Sequence, residues 1–279
     1  SGAAATTPAQ EPAAEGPRRL VPVWQDGMSL ATEDGEYLIR VGALVRVDGR
    51  VVGPNPANLP LDTIAIRAAR LVVQGHIGRQ FEFRVVPEFN GEGTVLRDGY
   101  IDLGFADALH LRAGRDKTPM GLELLQRDAN VIFLDYGVTS KLLPSRDVGV
   151  QAYGDVKGGL FNYAAAVYNG TPDGTSAAAN SDVNNGKDLV GRTIFRVLRK
   201  PKSADGLLFG IAASKGPQTG ALPSYKTSAQ QVYFTYLPSA AAGGDHTRIV
   251  PQASFVHHNF EAFSEYVRRS EEHTSELQS

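Results

Sequence analysis

The sequence contains no cysteine in its 279 residues. This absence excludes a disulfide framework, a thiolate metal site and a cysteine nucleophile. The chain also lacks any apolar run close to the ~18 residues that a transmembrane helix needs. No nucleophile elbow or zinc-protease helix is present, so we expect neither an enzyme nor a cofactor. Charge of neither sign dominates, with 28 Lys and Arg against 30 Asp and Glu, and we expect no nucleic-acid partner.

The most informative pattern is strict alternation of apolar and polar residues over residues 36–48. Tyr37, Ile39 and Val45 belong to one apolar face, whereas Arg40 and Arg46 belong to the opposite face. Such alternation predicts a β-strand with one apolar side. A strand of a soluble sandwich usually needs only about 5–6 residues. This run of roughly a dozen is long enough to cross a hydrocarbon layer when tilted.

The same pattern recurs along the chain, with short turns alternating with longer loops. Further strands are expected near residues 62–78, 80–88, 98–103, 109–114, 148–153, 161–167, 191–199, 206–214, 229–237 and 247–257, and one more begins at 260. Arg67 has the opposite parity to Arg70, which predicts a β-bulge or a rim position. Residues 117–145 form an irregular segment too long for a simple turn, which indicates a functional or disordered loop. The layout predicts an all-β, antiparallel transmembrane β-barrel.

The two ends differ in composition from the region between them. Residues 1–25 begin with an Ala-, Pro- and Thr-rich stretch that predicts a disordered linker, and residues 26–268 are expected to form a partial barrel. Residues 269–279, RSEEHTSELQS, match one translation of a common short-read sequencing adapter, so we interpret them as a non-native tail. The barrel is accordingly expected to be incomplete at its C-terminal end. A fragment with unpaired edge strands is not expected to insert as a functional pore.

Several short segments together resemble the phosphate-selective porin family. They are residues 26–30 (DGMSL), 34–48 (DGEYLIRVGALVRVD), 66–71 (IRAARL), 96–100 (LRDGY), 114–119 (GRDKTP), 145–151 (SRDVGVQ) and 168–170 (YNG). The resemblance implies a sixteen-stranded barrel of the bacterial outer membrane, assembled as a homotrimer among phospholipid and lipopolysaccharide. It also implies passive diffusion of small anions such as phosphate through a lumen lined by arginine and narrowed by an inward-folded loop.

The resemblance and the strand parity together indicate the candidate anion-binding residues. The lumen candidates are Arg40, Arg46, Arg70, Arg84 and Arg112. Lys117, Lys141 and Arg146 belong to or flank the expected constriction loop. A row of guanidinium groups lowers the energy of an anion at successive positions, and several moderate sites still allow it to leave. Arginine suits phosphate because it donates two parallel N–H groups.

Other interpretations of these arginines remain open at the level of sequence. They could simply pair with the wall carboxylates Asp48, Glu82, Glu88, Asp98 and Asp102. Leu44 and Ala68 stand where the family pattern has arginine, which weakens the expectation of phosphate selectivity in particular. The alternative functions are a structural or adhesive surface barrel without selective transport, and a soluble β-rich carbohydrate-binding domain.

The adjacent histidines His257 and His258 are the remaining candidate for a metal site. Neighbouring residues of a strand point to opposite faces, so the two imidazoles are not expected to share one ion. We therefore predict no metal site in this chain.

Overall fold

The alternating segment at residues 36–48 forms one long strand in the computed structural model of the chain. The structure describes residues 19–24, 27–51, 62–91, 93–131, 133, 135–176, 185–199, 205–227, 231–237 and 239–271. Within the strand, Ile39 and Val45 are exposed, whereas Arg40 and Arg46 on the opposite face are half-buried. The apolar and polar side chains that alternate in the sequence therefore lie on opposite faces of the strand.

Sixteen strands and two short helices are present among the described residues. They are β1 (Leu20–Trp24), β2 (Met28–Thr32), β3 (Tyr37–Arg50), β4 (Thr63–Ile77), β5 (Phe81–Glu88), β6 (Val95–Ala106), β7 (Leu109–Lys117), α1 (Leu122–Leu125), α2 (Val138–Lys141), β8 (Arg146–Val156), β9 (Phe161–Tyr168), β10 (Asp188–Arg199), β11 (Gly206–Ala221), β12 (Tyr225–Lys226), β13 (Val232–Phe234), β14 (Ala241–His257), β15 (Phe260–Glu265) and β16 (Arg268–Glu271). A 3₁₀ turn, Asp128–Asn130, lies between the helices.

Fourteen of these strands form one antiparallel sheet. Sequential strands pair from β1 to β11, β11 then pairs with β14, and β15 and β16 both pair with β14. In the part of the chain that the structure describes, the sheet is open between β1 and β15. The prediction of an all-β antiparallel architecture is confirmed. The strand expected at residues 229–237 is shorter than predicted, because only β13 forms there, in a small hairpin with β12.

Two strands at the ends of the sheet overlap the segments predicted to lie outside the barrel. β1 lies within residues 1–25, the predicted linker, and all five of its residues pair with β2. β16 extends past the predicted boundary at residue 269, and its four residues pair with β14. The expectations for residues 1–18 and 272–279 lie outside the described residues.

The outer face of the sheet is apolar and exposed over many strands. Val45, Ile66, Val150, Phe195 and Ile211 are examples from five different strands. A soluble domain would cover such a surface or make it polar, whereas a lipid-facing barrel wall requires it. Among the described residues, no helix is long and apolar enough to cross a membrane.

Residues 118–145, here called the inner loop, lie across the polar face of the sheet. At one side, Asp128 and Asp135 contact arginines of β4. At the other side, the Gln252 side-chain amide of β14 donates to the Met120 carbonyl, and the Leu122 N–H donates to Glu265 of β15. Seven strands separate β4 from β14 in the sheet order. Because one loop contacts both, the polar face must be concave and must curve around it.

Apolar packing holds the inner loop against the second half of the sheet. Met120 and Leu143 of the loop are fully buried, and they cluster with Tyr168, Val190 and Val250 from three strands. Burying a side chain of this size contributes about 1.5–3 kcal/mol. Within the loop, the buried Glu123 carboxylate accepts hydrogen bonds from the Gly137 N–H and the Ser140 hydroxyl, each at 2.8 Å. The loop therefore has a defined conformation.

The packing of Met120 leads to the first prediction. We expect Met120→Ala to loosen the inner loop by about 2–5 kcal/mol, because the substitution leaves a cavity in a fully buried cluster. Limited proteolysis of the folded protein should then cleave within residues 118–145 at least about tenfold faster. Val138→Ala, at an exposed residue of the same loop, is the matched control. Equal cleavage rates for the two variants would contradict this role of the cluster.

Candidate functional site

A cavity of about 810 Å³ lies between the inner loop and the polar face of β3–β8. Its wall combines residues of β3 to β8 with Leu125, Arg127 and Asp128 of the inner loop. The cationic residues that line it are Arg40, Arg70, Arg84, Arg97, Lys117, Arg127 and Arg146, and the acidic ones are Glu82, Asp98, Asp116 and Asp128. Seven cationic groups against four acidic groups give the cavity a formal excess of three positive charges.

The cavity brings together five of the eight residues selected from the sequence. Arg40, Arg70 and Arg84 reach it from β3, β4 and β5, and Lys117 and Arg146 reach it from the strand ends that flank the inner loop. The other three, which are not among the lining residues, are Arg46, Arg112 and Lys141. The strand parity therefore selected the correct face, but the cavity occupies only part of that face.

Most of these lining cations are held by wall carboxylates. Asp98 accepts a hydrogen bond from Arg146 Nε at 2.6 Å and lies 3.5 Å from Arg84 Nε. Arg70 donates through Nε to Glu88, directly across the β4–β5 pair. Arg40 Nε donates to the Ser29 hydroxyl at 3.3 Å. Such pairing reduces the cost of placing charge in a sheltered interior and keeps each guanidinium in one orientation.

The three residues outside the cavity are also paired. Arg112 donates to Asp102 at 2.7 Å, and its guanidinium lies 4.2 Å above the Tyr100 ring. Arg46 Nε lies 3.5 Å from Asp48. Lys141 Nζ lies 3.3 Å from Asp135 within the inner loop.

Two β-bulges turn additional arginines toward the inner loop. In the β3–β4 pair, Arg46 is opposite Ala68 and Val47 is opposite Ile66, so Arg67 is the extra residue. The bulge expected from its parity is therefore present, and Arg67 lies 3.3 Å from Asp135. The β5–β6 pair skips Arg97 in the same way. A bulge places two residues of one strand opposite a single residue of the paired strand, which breaks the alternation of side chains between the two faces at that point.

Arg97 was not among the sequence candidates because alternation from Tyr100 assigns it to the outer face. The sequence signal for its bulge is Pro87 in the paired strand, because proline cannot donate a ladder hydrogen bond and is found in strands mainly at bulges and edges. Arg97 lies 3.8 Å from Glu88 and 3.2 Å from Asp128. It is thereby one of the residues that connect the sheet to the loop.

Asp128 is the point at which these cations converge on the inner loop. Its carboxylate accepts hydrogen bonds from Arg70 and Arg97, and from the Tyr136 hydroxyl at 2.7 Å. Lys117 Nζ lies 3.8 Å away. Burial alone would raise the pKa of Asp128, but Arg97, the Tyr136 hydroxyl and Arg70 outweigh it and hold the pKa below its usual range. Asp128 is therefore ionised at neutral pH.

Arg127 differs from the other cations of the cavity. Its side chain is exposed and lines the cavity, and within the described ranges it makes no ion pair or side-chain hydrogen bond. Arg127 precedes the 3₁₀ turn, and its backbone carbonyl accepts a hydrogen bond from the Asn130 N–H at 2.8 Å. Its guanidinium lines the cavity. Sequence reasoning missed it because the loop has no periodicity that would assign a direction to its side chains.

The two residues noted as departures from the family pattern occupy the same face. Leu44 lines the cavity, and Ala68 is buried directly opposite Arg46. Each position therefore faces the interior, where an arginine would have added a further cationic group.

The structure corrects the expected geometry of His257 and His258. β14 ends at His257, and His258 lies in the following turn with φ 53°. Strand alternation therefore does not apply to the pair. The two rings lie together instead, with their centroids 4.2 Å apart.

Comparison with known proteins supports the interpretation of this fold. The chain has no significant match among curated proteins. The model of one family, described as phosphate-selective porin O and P, matches residues 40–231, which is 192 of the 279 residues. The match covers β4–β12, the inner loop and every residue that lines the cavity except Leu38. The chain therefore belongs to the phosphate-selective porin family, whose members are channels of the outer membrane and not enzymes.

Proposed function

We propose that this porin allows passive diffusion of small anions, phosphate among them, through a lumen lined by arginine. The working assembly is a homotrimer whose apolar outer face contacts phospholipid and lipopolysaccharide. The observation that carries the proposal is the excess of three positive charges around a cavity bordered by the inner loop. Rings of Arg and Lys select for anions because they replace part of the hydration that the anion loses in a narrow pore.

The paired and unpaired cations have different roles in this proposal. Arg70, Arg84, Arg97 and Arg146 are bound to carboxylates, so they fix the wall and the loop and contribute to the positive field. Arg127 has its donors available, so it can bind phosphate without breaking an existing ion pair. A guanidinium donates two parallel hydrogen bonds to phosphate, and an exposed site of this kind binds weakly enough to release the anion.

The inner loop acts as the constriction in this proposal. It crosses the concave face and is held at one side by Asp128 and at the other by Gln252 and Glu265. Fixing the loop at both sides narrows the path to a constant width. It also holds Arg127 and Lys117 beside the same cavity.

Substitution of Arg127 tests the proposal directly. We expect Arg127→Gln to weaken the block of chloride current by phosphate about three- to tenfold, because a solvent-accessible charge contact contributes roughly 1 kcal/mol. The measurement is single-channel conductance in planar bilayers, using protein expressed from its complete gene. Arg79→Gln removes one positive charge from the β4–β5 turn and is the control.

The control separates a local site from a general effect of charge. Arg79→Gln should leave the phosphate block unchanged, because Arg79 does not line the cavity. If the two substitutions weakened the block equally, Arg127 would have no special role. If phosphate did not reduce chloride current in the unmodified channel, the proposed phosphate passage would be wrong.

Substitution of Asp128 should act in two ways at once. Asp128→Asn removes the negative charge shared by Arg70 and Arg97 and replaces one of the two accepting oxygens with an NH2 donor, which loosens the inner loop by about 1–3 kcal/mol. It also raises the formal charge of the cavity by one. The zero-current potential in a salt gradient should therefore shift in the direction that indicates a higher permeability for anions relative to cations. The measurements are limited proteolysis of residues 118–145 and the reversal potential.

Asp107→Asn, at an exposed turn residue between β6 and β7, is the matched control for loss of one carboxylate. It should change neither measurement. A protease-resistant loop in Asp128→Asn would show that the apolar cluster alone fixes the loop. A reversal potential that indicates a higher permeability for cations in Asp128→Asn would contradict the electrostatic account.

A further inference from the structure

Two imidazoles and a carboxylate lie close together at the end of the sheet opposite the inner loop. Asp205 immediately precedes β11, and His257 and His258 lie at the end of β14. Because Gly206 is opposite Val256 in the β11–β14 pair, Asp205 lies beside His257 despite their separation in sequence. Among the described residues, these three form the one group of metal-ligating side chains whose ligand atoms all lie within 4.8 Å.

The distances between these atoms are close to those of a metal site. Asp205 Oδ2 lies 3.4 Å from His257 Nδ1 and 4.0 Å from His258 Nδ1. Ligand atoms that bind zinc tetrahedrally at about 2.0–2.1 Å are roughly 3.4 Å apart. The His258 Nδ1–Asp205 Oδ2 distance exceeds this spacing by about 0.6 Å, so the His258 ring would move inward and exchange its hydrogen bond with His257 Nε2 for the ion.

The backbone of the turn holds the ligands in place. The His258 N–H donates to Asp205 Oδ1 at 2.7 Å, and Asp205 Oδ2 lies 3.4 Å from His257 Nδ1. The φ of 53° at His258 lies in the left-handed region, which few residues other than glycine adopt, although histidine is among the enriched ones. This conformation folds the His258 ring back toward His257, where His258 Nδ1 forms a hydrogen bond with His257 Nε2 at 3.0 Å while His257 Nδ1 faces Asp205.

The environment of the cluster suits an exchangeable ion. The Asp205 side chain is only 12% exposed, whereas the side chains of His257 and His258 are 53% and 76% exposed. The carboxylate is thus largely sheltered from solvent. The open imidazoles leave room for water in a fourth position, as three-ligand zinc sites require.

We propose that Asp205, His257 and His258 bind one divalent transition-metal ion, for which Zn²⁺ is the best match. Imidazole and carboxylate are ligands that zinc accepts readily, and the set lacks the number of oxygen atoms that Ca²⁺ or Mg²⁺ would require. The ion would connect the start of β11 to the β14–β15 turn. It would therefore stabilise this edge of the sheet by binding only the folded state. This site is separate from the cationic cavity and does not depend on the proposed transport function.

The test is calorimetric titration of untagged, chelator-treated protein in detergent with ZnCl₂ at neutral pH. We expect one ion per chain, with affinity reduced about tenfold or more by His257→Gln, His258→Asn or Asp205→Asn, because each removes a ligand. Asparagine is chosen at position 258 because it tolerates the left-handed conformation. His76→Gln, near the β4–β5 turn, is the control and should bind zinc as the unmodified protein does.

A second measurement needs no variant. Zinc should protect His257 and His258, but not His76, from carbethoxylation by diethyl pyrocarbonate, as read by mass spectrometry of the unmodified protein. Absence of saturable binding, or equal modification of His257 and His258 with and without zinc, would overturn the proposal. Unchanged affinity in folded His257→Gln and His258→Asn would also overturn it, and would place the bound ion elsewhere.

Discussion

The contact of Asp128 with Arg70 and Arg97 is the interaction on which the interior arrangement depends. A barrel wall must present apolar side chains to lipid, so its charged residues accumulate on the concave face. There they are partly removed from water and require partners of opposite charge. A carboxylate carried by the inner loop satisfies two wall arginines at once. The same contact therefore compensates buried charge and determines where the loop lies.

The two sides of the inner loop are held by different forces, and the difference has a functional consequence. Apolar packing around Met120 and Leu143 holds the loop to β9–β14, where the fully buried Arg248 is paired with Asp173 and Asp188. Ion pairs hold it to β4 and β6, where the cavity forms. Most of the charge around the cavity is already paired, which leaves Arg127 as the lining cation best able to exchange one anion for another.

Sequence alternation predicted the sheet and the polar face well because a period of two follows directly from strand geometry. It identified β3, β5 and the bulge at Arg67. It failed where the backbone departs from that period, as at the bulge that turns Arg97 inward and in the turn that joins His257 to His258. It could not find Asp128 or Arg127, because a loop that folds back onto a sheet is positioned by tertiary contacts. The pairing of β1 with β2 was missed for a similar reason, since a short strand containing proline gives a weak local signal.

The central claim is that the interior carries a net positive field that favours anions. The most direct measurement is the zero-current potential of the unmodified channel across a planar bilayer with a gradient of potassium chloride. The account predicts a potential whose sign corresponds to chloride permeating faster than potassium, and a magnitude that falls as salt screens the fixed charges. A potential of the opposite sign, or bilayers that remain silent after insertion, would contradict it.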